Sequence, residues 1–395
     1  MEMVIIDRPN KYNVGVITPP LGNSRAAISA KCLIRILEPL CDEQYLITDN
    51  FSYSSNTNIH VINVKTGLDY NKRVSLWTRI PGFILTQTKI LYNLIKISKN
   101  IDIVFFHFGG RFYVLAVLCS KLLKKYTVVF SFGSALKLVE KTNSETLFGK
   151  GGFILSRIMW ILERVSFSIC DIIVIESENI LNFAGLEKYR SKISNIYASP
   201  EFIDTNVFKI KKNREDRRYM AGYVGRLSEE KGVMNFAKAI PLILKDNDDL
   251  DFLIGGNGPL IYRLENELKA NGSYDNVKFT GWIPHDKIPD YLNELKLIIL
   301  PSFTEGLPII LREAMSCGTP VLATSVGSIP DLIVDGETGY ILEDNTPECI
   351  AMNVMRVLKD PNIDIITKNA QKLIEKNYNF DAAVERYRRL LDECK

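Results

Sequence analysis

The chain has 395 residues, of which 46% are hydrophobic, and its 49 basic and 46 acidic residues leave a net charge of +3. One hydrophobic core rarely serves more than ~250–300 residues, so the length argues against a single domain and predicts two. The sequence has neither a run of ~18 apolar residues nor the apolar core of a signal peptide at its start, and we expect a cytoplasmic protein.

The cysteines and histidines of the sequence argue against a disulfide framework and against a catalytic zinc centre. The seven cysteines are scattered and form no Cys-x-x-Cys pair, so we expect buried reduced thiols rather than a disulfide framework. Only three histidines are present, and none belongs to a His-Glu-x-x-His motif, so a catalytic zinc centre is not expected.

Short β-rich runs alternate with helical patterns along the whole chain. Such alternation predicts an α/β fold with parallel sheets covered by helices, in which ligands bind at the carboxyl ends of the strands. The strands predicted in the first half are Val14–Thr18, Tyr45–Thr48, His60–Val64, Ile103–Phe108, Thr127–Phe132, Ile172–Ile175 and Ile193–Tyr197. Those predicted in the second half are Tyr219–Gly225, Phe252–Gly255, Val277–Thr280, Leu297–Leu300, Val321–Ala323 and Gly339–Leu342.

The two halves differ in charge. Residues 1–200 hold 24 basic and 15 acidic residues, for +9, whereas residues 201–395 hold 25 and 31, for −6. From Tyr70 to Val139 there are 11 basic residues and one acidic residue, Asp102. This stretch could rest on an anionic membrane, where each cation contributes ~1 kcal/mol, so a peripheral location on the inner membrane face is an option. Nucleic acid is not expected as a partner, because the stretch contains no recognised nucleic-acid module.

A core helix is the alternative for part of this stretch, and the two interpretations are compatible. One side of the helix carries large side chains at helical spacing. These are Phe83, Ile84, Gln87, Leu91, Leu94, Ile95 and Ser98. The charged segment 209–218 has little apolar content and predicts that the break between the domains lies nearby. We place the first domain at 1–205 and the second at 206–380.

Two turns in the second half follow predicted strands. Arg226 and Lys231 lie in a basic loop after Tyr219–Gly225, and fixed cations of this kind stabilise the negative charge of a departing phosphate. Gly255 and Gly258 lie in a glycine-rich turn, where small residues let the backbone approach a ligand. Taken singly, such a pair of cations is typical of a surface, and such a turn is typical of an ordinary connection.

A third motif sets Glu305 and Glu313 eight positions apart across a loop-to-helix junction. Pro308 suits a first helical turn, and Gly318 suits the end of that helix. Loop amides and the positive helix end can hold diphosphate oxygens, while carboxylates accept hydrogen bonds from sugar hydroxyls. A glutamate pair at this spacing is by itself typical of two solvated side chains, whereas the whole stretch predicts a nucleotide-sugar site.

These three motifs together resemble the retaining glycosyltransferases of family 4. The resemblance implies the GT-B fold, in which two doubly wound Rossmann-like domains face each other across a cleft. It assigns acceptor binding to residues 1–205 and donor binding to 206–380, and it implies that a helix in 381–395 crosses back to the first domain. By the same resemblance, the catalytic residues are Glu305, Arg226 and Lys231. The donor-binding residues are Glu313, Gly22, Gly255, Gly258, Ile283, Gly306, Leu307, Pro308 and Ile309.

Three positions of the first domain complete this prediction. Gly22 follows the first strand and could face the diphosphate, although Asn23 could instead cap the next helix. His107 matches a family histidine near the acceptor, and its alternative is a structural role. Many relatives carry a histidine where this chain has Phe132, so the donor sugar is left open.

The implied reaction transfers a hexosyl-type unit from a nucleoside diphosphate sugar, which we take to be UDP-linked, to an acceptor hydroxyl with retention of configuration. Front-face attack needs positioning and charge stabilisation, and no metal ion or other cofactor is expected. A lipid-linked or growing surface glycan is the expected acceptor, as in polysaccharide biosynthesis. The alternatives are a nucleotide-sugar epimerase on the same fold and a catalytically weak partner subunit that binds a nucleotide or a glycan.

Two further enzyme classes fit the sequence less well. A metal-dependent glycosyltransferase would use an Asp-x-Asp motif, but Asp246-Asn247-Asp248 falls in an acidic turn. A dehydrogenase would need Gly-x-Gly-x-x-Gly after a strand, which neither domain supplies.

Overall fold

The structure is a computed structural model that describes residues 12–18, 25–49, 51, 53, 58–64, 76–107, 113–131, 152–194, 196–197, 199–245 and 249–394. Three sequence predictions lie outside the described residues. They concern Gly22, Phe132 and the triplet Asp246-Asn247-Asp248.

The first half of the chain forms a six-stranded parallel sheet with the order β3-β2-β1-β4-β5-β6. Its strands are β1 (Tyr12–Ile17), β2 (Cys41–Thr48), β3 (Ile59–Asn63), β4 (Ile103–Phe106), β5 (Tyr126–Ser131) and β6 (Ile172–Ile175). Its described helices are α1 (Arg25–Leu37), α2 (Leu76–Ile97), α3 (Val114–Leu122), α4 (Gly152–Ile169) and α5 (Glu178–Phe183).

The second half repeats this topology, with the order β12-β11-β10-β7-β8-β9. Its strands are β7 (Ala221–Val224), β8 (Phe252–Gly255), β9 (Val277–Gly281), β10 (Ile298–Leu300), β11 (Val321–Thr324) and β12 (Tyr340–Leu342). Its described helices are α6 (Val233–Leu244), α7 (Ile261–Ala270), α8 (Ile288–Leu292), α9 (Ile309–Ser316), α10 (Ile329–Leu332), α11 (Pro347–Leu358) and α12 (Ile363–Asn377). The last described helix is α13 (Phe380–Glu393).

The central strands are continuous apolar runs because helices cover both faces of each sheet. Every residue of β4, β6, β7, β8, β10 and β11 is buried. In each sheet the strand order reverses at the first strand, between β1 and β4 and between β7 and β10. Ligands of such sheets bind at the carboxyl ends of the strands beside this reversal.

Helix α13 belongs to the core of the first half, although it follows the whole second half in the chain. Val384, Leu390 and Leu391 pack in one cluster with residues of α1 and β1. The ring of Tyr387 stacks on Phe130 of β5 with the centroids 6.2 Å apart. The chain therefore passes between its halves twice.

Two predictions about the first half are wrong. Ile193–Tyr197 is not a strand, because only Ile193 bridges to Ile173 before the chain leaves for the second half. Ile84 and Ile95 are exposed, because the side of α2 that faces the sheet is centred on buried Ile90, Leu94 and Ile97. All seven cysteines are free thiols. Within the described part of the chain, we find no helix with the length and apolarity required to cross a membrane.

Candidate active site

The loops that follow β7, β8 and β10 are bonded to one another at the carboxyl edge of the second sheet. The Leu227 amide donates to the carbonyl of Asn257 at 3.0 Å, and the Leu260 amide donates to the carbonyl of Leu227 at 3.1 Å. The Phe303 amide donates to the carbonyl of Glu230 at 2.9 Å. The three loops that carry the predicted motifs therefore form one continuous surface beside the strand reversal.

The glycines of the turn after β8 permit this close contact. A Cβ atom on Gly258 would lie 2.2 Å from the carbonyl oxygen of Leu227. Gly256 has φ +126°, and its Cβ atom would lie 1.8 Å from the carbonyl oxygen of Gly225. The predicted donor residue Gly255 lies beside the predicted donor residue Ile283, since a Cβ atom on Gly255 would come within 2.8 Å of the Ile283 Cδ1 atom.

Lys231 and Glu305 are in direct contact. The Lys231 Nζ atom lies 2.7 Å from Glu305 Oε1, which also accepts a hydrogen bond from the Ser302 hydroxyl at 2.7 Å. The Glu305 side chain is 8% exposed and that of Lys231 is 23% exposed. A pair this sheltered fixes the position of the ammonium group at the loop surface.

Arg226 lies in the same loop, but its side chain extends into solvent. It is 72% exposed, and its Nη1 atom lies 3.9 Å from Glu230 Oε1. The Ser228 hydroxyl donates to the same carboxylate oxygen of Glu230 at 2.6 Å. Arg226 thus precedes Lys231 by five residues without being fixed beside the Lys231–Glu305 pair, and its exposed guanidinium can turn toward a bound anion.

Glu313 lies inside α9 and is almost fully buried. His285 contacts it, with the Nε2 atom 2.7 Å from Glu313 Oε1, and the His285 ring packs against Phe208 at 5.4 Å between centroids. His285 is half-exposed, so its imidazole connects the buried Glu313 carboxylate to the surface. The sequence prediction assigned no role to His285.

Gly306, Leu307, Pro308 and Ile309 form the junction between β10 and α9. Pro308 precedes the helix as its N-cap, with φ −68° and ψ 119°, and Ile309 is the first helical residue. The proline is therefore one position earlier than a first helical turn, because its extended ψ angle turns the chain into the helix.

This junction contacts the first half of the chain. The Leu307 amide donates to Glu176 Oε2 at 3.1 Å, and the same carboxylate lies against Gly306, where a Cβ atom would be 2.6 Å from it. Ser177 donates to the Ser328 hydroxyl at 2.7 Å. Glu176 and Ser177 directly follow β6, so the carboxyl edges of the two sheets face each other.

A cavity of about 240 Å³ lies at this contact between the halves. Its lining includes Glu176, Ser199, Leu307, Tyr378 and Arg386. Of the predicted donor-binding residues that the structure describes, only Leu307 is among those that line it. The cavity therefore borders the predicted site from the side on which the chain crosses between its halves.

His107 is completely buried at the end of β4 and lies in a polar network that spans both halves. Its Nε2 atom is 3.2 Å from the Ser29 hydroxyl. Burial lowers the pKa of His107 to about 4, against the opposing charge of Glu201. The histidine is therefore neutral at pH 7.

Glu201 connects His107 to α9. Burial alone raises its pKa, but the charge of Arg312 and hydrogen bonds from Ser199 and Ser29 outweigh this and hold the pKa below its ordinary value. Arg312 is fully buried and donates to the Glu201 carbonyl at 3.1 Å. This arrangement favours the structural alternative for His107, because the ring is enclosed rather than open to an acceptor.

The structure adds three residues that sequence reasoning missed, namely Glu176, His285 and Ser302. Glu176 directly follows a buried strand, and this position could have indicated it. His285 and Ser302 carry no comparable signal, because each acts through a contact made by folding. Among the residues that the structure describes, we find no cluster of three His, Cys, Asp or Glu side chains suited to a metal ion.

Comparison with known proteins finds similarity over the second half of the chain. Residues 204–380 match the family model of Glycosyl transferases group 1. Over these residues the second half of the chain is similar to the group 1 glycosyl transferases. Alpha-D-kanosaminyltransferase of Streptomyces kanamyceticus is 36% identical over 170 residues, which cover 42% of this chain and 44% of that protein. The GPI3 subunit of phosphatidylinositol N-acetylglucosaminyltransferase from Saccharomyces cerevisiae is 26% identical over 42% of this chain and 38% of its own. The chain thus spans less than half the length of these curated relatives.

Solved structures match the whole fold. Sucrose-phosphate synthase from Thermosynechococcus elongatus superposes with a TM-score of 0.75 at 15% identity and covers 97% of this chain and 99% of its own. HepE of Anabaena, solved in complex with UDP and glucose, superposes with a TM-score of 0.70 at 15% identity and covers 96% and 99%. The predicted GT-B fold of two Rossmann-like domains is confirmed.

Proposed function

We propose that the protein is a retaining, metal-independent glycosyltransferase that moves a hexosyl-type sugar from a UDP-linked donor to an acceptor hydroxyl. The observation that carries this proposal is the 2.7 Å contact between Lys231 and Glu305 at the strand reversal of the second sheet. The names of the relatives of this half and the UDP bound to a protein of the same fold support it.

In this proposal Lys231 stabilises the diphosphate leaving group. Breaking the bond between the sugar and the phosphate leaves negative charge on the phosphate oxygen, and a cation already in place lowers the energy of that state without reorganising. Glu305 keeps Lys231 in position before the donor binds. Arg226, whose side chain is exposed, turns onto the diphosphate when the donor binds.

The donor is held by the surrounding backbone and by Glu313. The amides at the start of α9 and the positive end of that helix attract phosphate oxygens. Glu313 accepts hydrogen bonds from the ribose hydroxyls. Because a retaining double displacement needs a carboxylate at the anomeric carbon, whereas Glu305 is engaged by Lys231 and Ser302, we favour front-face attack.

For the acceptor we propose a lipid-linked or growing surface glycan. The basic first half, with a net charge of +9 over residues 1–200, suits an acceptor that carries phosphate or lies at an anionic membrane.

The test begins with a thermal-shift screen of nucleotide sugars, followed by NMR of the stabilising donor with and without glycan acceptors, in excess chelator. We expect transfer with the anomeric configuration retained. Donor change without an acceptor would instead indicate an epimerase, and tight nucleotide binding without sugar release under any acceptor would indicate a binding subunit. An inverted product would reject retention.

The matched variants are Glu305→Gln and Glu294→Gln. Glu294 pairs with Lys212 at 2.9 Å on the surface, so the second variant removes a similar contact away from the site. We expect Glu305→Gln to reduce transfer by roughly 10²–10³-fold, the range found when one preorganised charge-stabilising group is lost. Glu294→Gln should retain the wild-type rate, and an equal loss in both would contradict the assignment.

A further inference from the structure

The first half of the chain presents an unusually apolar outer surface on three neighbouring helices. Helices α2, α3 and α4 cover one side of the first sheet, and α3 lies between the other two. Among the described residues, ten of the 19 large apolar side chains that are exposed belong to these three helices. We call the outer side of α2, α3 and α4 the three-helix face.

The exposed residues follow regular stripes that point away from the sheet. On α3 they are Leu115, Leu118 and Leu122, spaced i, i+3 and i+7, while Ala116 and Val117 face the core. A surface helix normally has one apolar side, turned to the core, so the second stripe is not explained by folding of this domain.

The same spacing recurs on the helices at either side of α3. On α4, Ile158, Ile161 and Val165 are exposed, again at i, i+3 and i+7. On α2, Tyr92 and Ile95 are exposed on the side opposite the core. Three helices in contact thus share one extended apolar surface.

The charges of the three-helix face are of one sign. Neither α2 nor α3 contains an acidic residue, and Glu163, the single acid of α4, is buried. Lys96, Lys99 and Arg157 are exposed on or directly beside the helices. An apolar surface bordered by cations is complementary to an anionic bilayer, which offers acyl chains below a layer of negative headgroups.

We propose that the three-helix face binds the surface of a membrane that contains anionic lipids. A second copy of the chain fits this surface less well, because a symmetric dimer would place the same cations opposite one another. Bound in this way, the protein would meet a lipid-linked acceptor in the plane of the membrane. The membrane contact does not depend on the proposed catalysis, because it is measured without a nucleotide sugar.

The experiment is co-sedimentation of the whole chain with vesicles of phosphatidylcholine alone or mixed with phosphatidylglycerol. We expect binding to the mixed vesicles that weakens as salt is added. Replacing Lys96 or Lys99 by alanine should weaken it roughly fivefold each, since a cation near an anionic leaflet contributes about that factor.

The apolar stripe is tested by Leu122→Glu, with Met352→Glu on α11 as its matched control. Leu122 is 76% exposed and Met352 is 63% exposed, so neither substitution removes a core contact. Leu122→Glu should weaken vesicle binding at least as much as losing one lysine, and Met352→Glu should leave it unchanged.

Three results would overturn the proposal. They are failure of the wild-type chain to bind the mixed vesicles, equal binding to both lipid compositions, and equal loss in the two glutamate variants. A dimer in solution that dissociates in Leu122→Glu, without vesicle binding, would assign the face to a second copy instead.

Discussion

The packing of Gly258 against Leu227 leads to a quantitative prediction for the variant Gly258→Ala. The new Cβ atom would lie 2.2 Å from the carbonyl oxygen of Leu227, 2.7 Å from the carbonyl carbon and 2.8 Å from the backbone nitrogen of the same residue. Ordinary contact begins at 3.4 Å, so the two loops must separate by about 1.2 Å. All three atoms belong to the Leu227 backbone and cannot rotate away as a side chain could.

This displacement acts on the loop that carries Arg226 and Lys231. Two backbone hydrogen bonds, from Leu227 to Asn257 and from Leu260 to Leu227, hold the loops together and would be strained or lost. A misplacement of ~1 Å in a catalytic group can lower the rate roughly 10²-fold, or about 2.7 kcal/mol. We expect kcat/KM for the donor to fall by about that factor.

The assay compares kcat/KM and the affinity for UDP in Gly258→Ala and in the control Gly272→Ala. Gly272 has φ +77°, and a Cβ atom there would meet no described atom within 4 Å. The control should lose about 1 kcal/mol of stability through backbone strain but retain its activity. Full activity in Gly258→Ala, or an equal loss in both variants, would refute the reasoning.

Three other predictions concern single side chains. Lys231→Met should lower kcat/KM about 10²–10³-fold, because the developing diphosphate charge loses its fixed cation. The control Lys212→Met, at the surface pair, should retain the wild-type value. Similar kcat/KM values for the two variants in steady-state assays would contradict this prediction. His285→Ala should raise KM for the donor roughly tenfold while kcat changes little, because the buried Glu313 loses a charge-assisted partner. A fall in kcat alone would argue against ribose binding by Glu313. The third prediction concerns stability. The pKa of His107 is lowered from 6.5 to about 4. The free energy of unfolding therefore keeps the full contribution of the neutral buried histidine above pH 6.5, and it loses that contribution as the pH falls toward 4, because the unfolded state binds the proton first. By pH 5 the loss is about 2 kcal/mol, and urea unfolding at pH 7.5 and 5.0 should show a smaller difference in His107→Gln; an unchanged difference would contradict the neutral buried histidine.

The sequence predicted those parts of the fold that depend on local pattern. Ile172–Ile175 and Phe252–Gly255 have the predicted bounds, because each is a continuous apolar run that ends at a polar residue or a glycine. Ile193–Tyr197 contains two isoleucines and a tyrosine, which favour strands, but only Ile193 bridges to a neighbouring strand, and composition does not reveal this. The orientation of α2 was also missed, because large apolar residues occur on both of its sides.

For the candidate site, the sequence predicted the loops but not the contacts between them. Lys231 and Glu305 were both named, and their 2.7 Å pairing required the strand order of the second sheet. The contact of His285 with Glu313 and that of Glu176 with the Leu307 amide join residues 28 and 131 positions apart. Such pairs follow from tertiary packing, so no spacing rule indicates them.

The position of α13 has a consequence for how the chain is made. Its apolar side fills the core of the first sheet, yet the ribosome adds these residues only after residues 204–380. The core of the first domain is therefore incomplete until α13 has been added, whereas residues 204–380 already contain all six strands of the second sheet. We therefore expect the first domain to complete its packing only after the second domain has been synthesised.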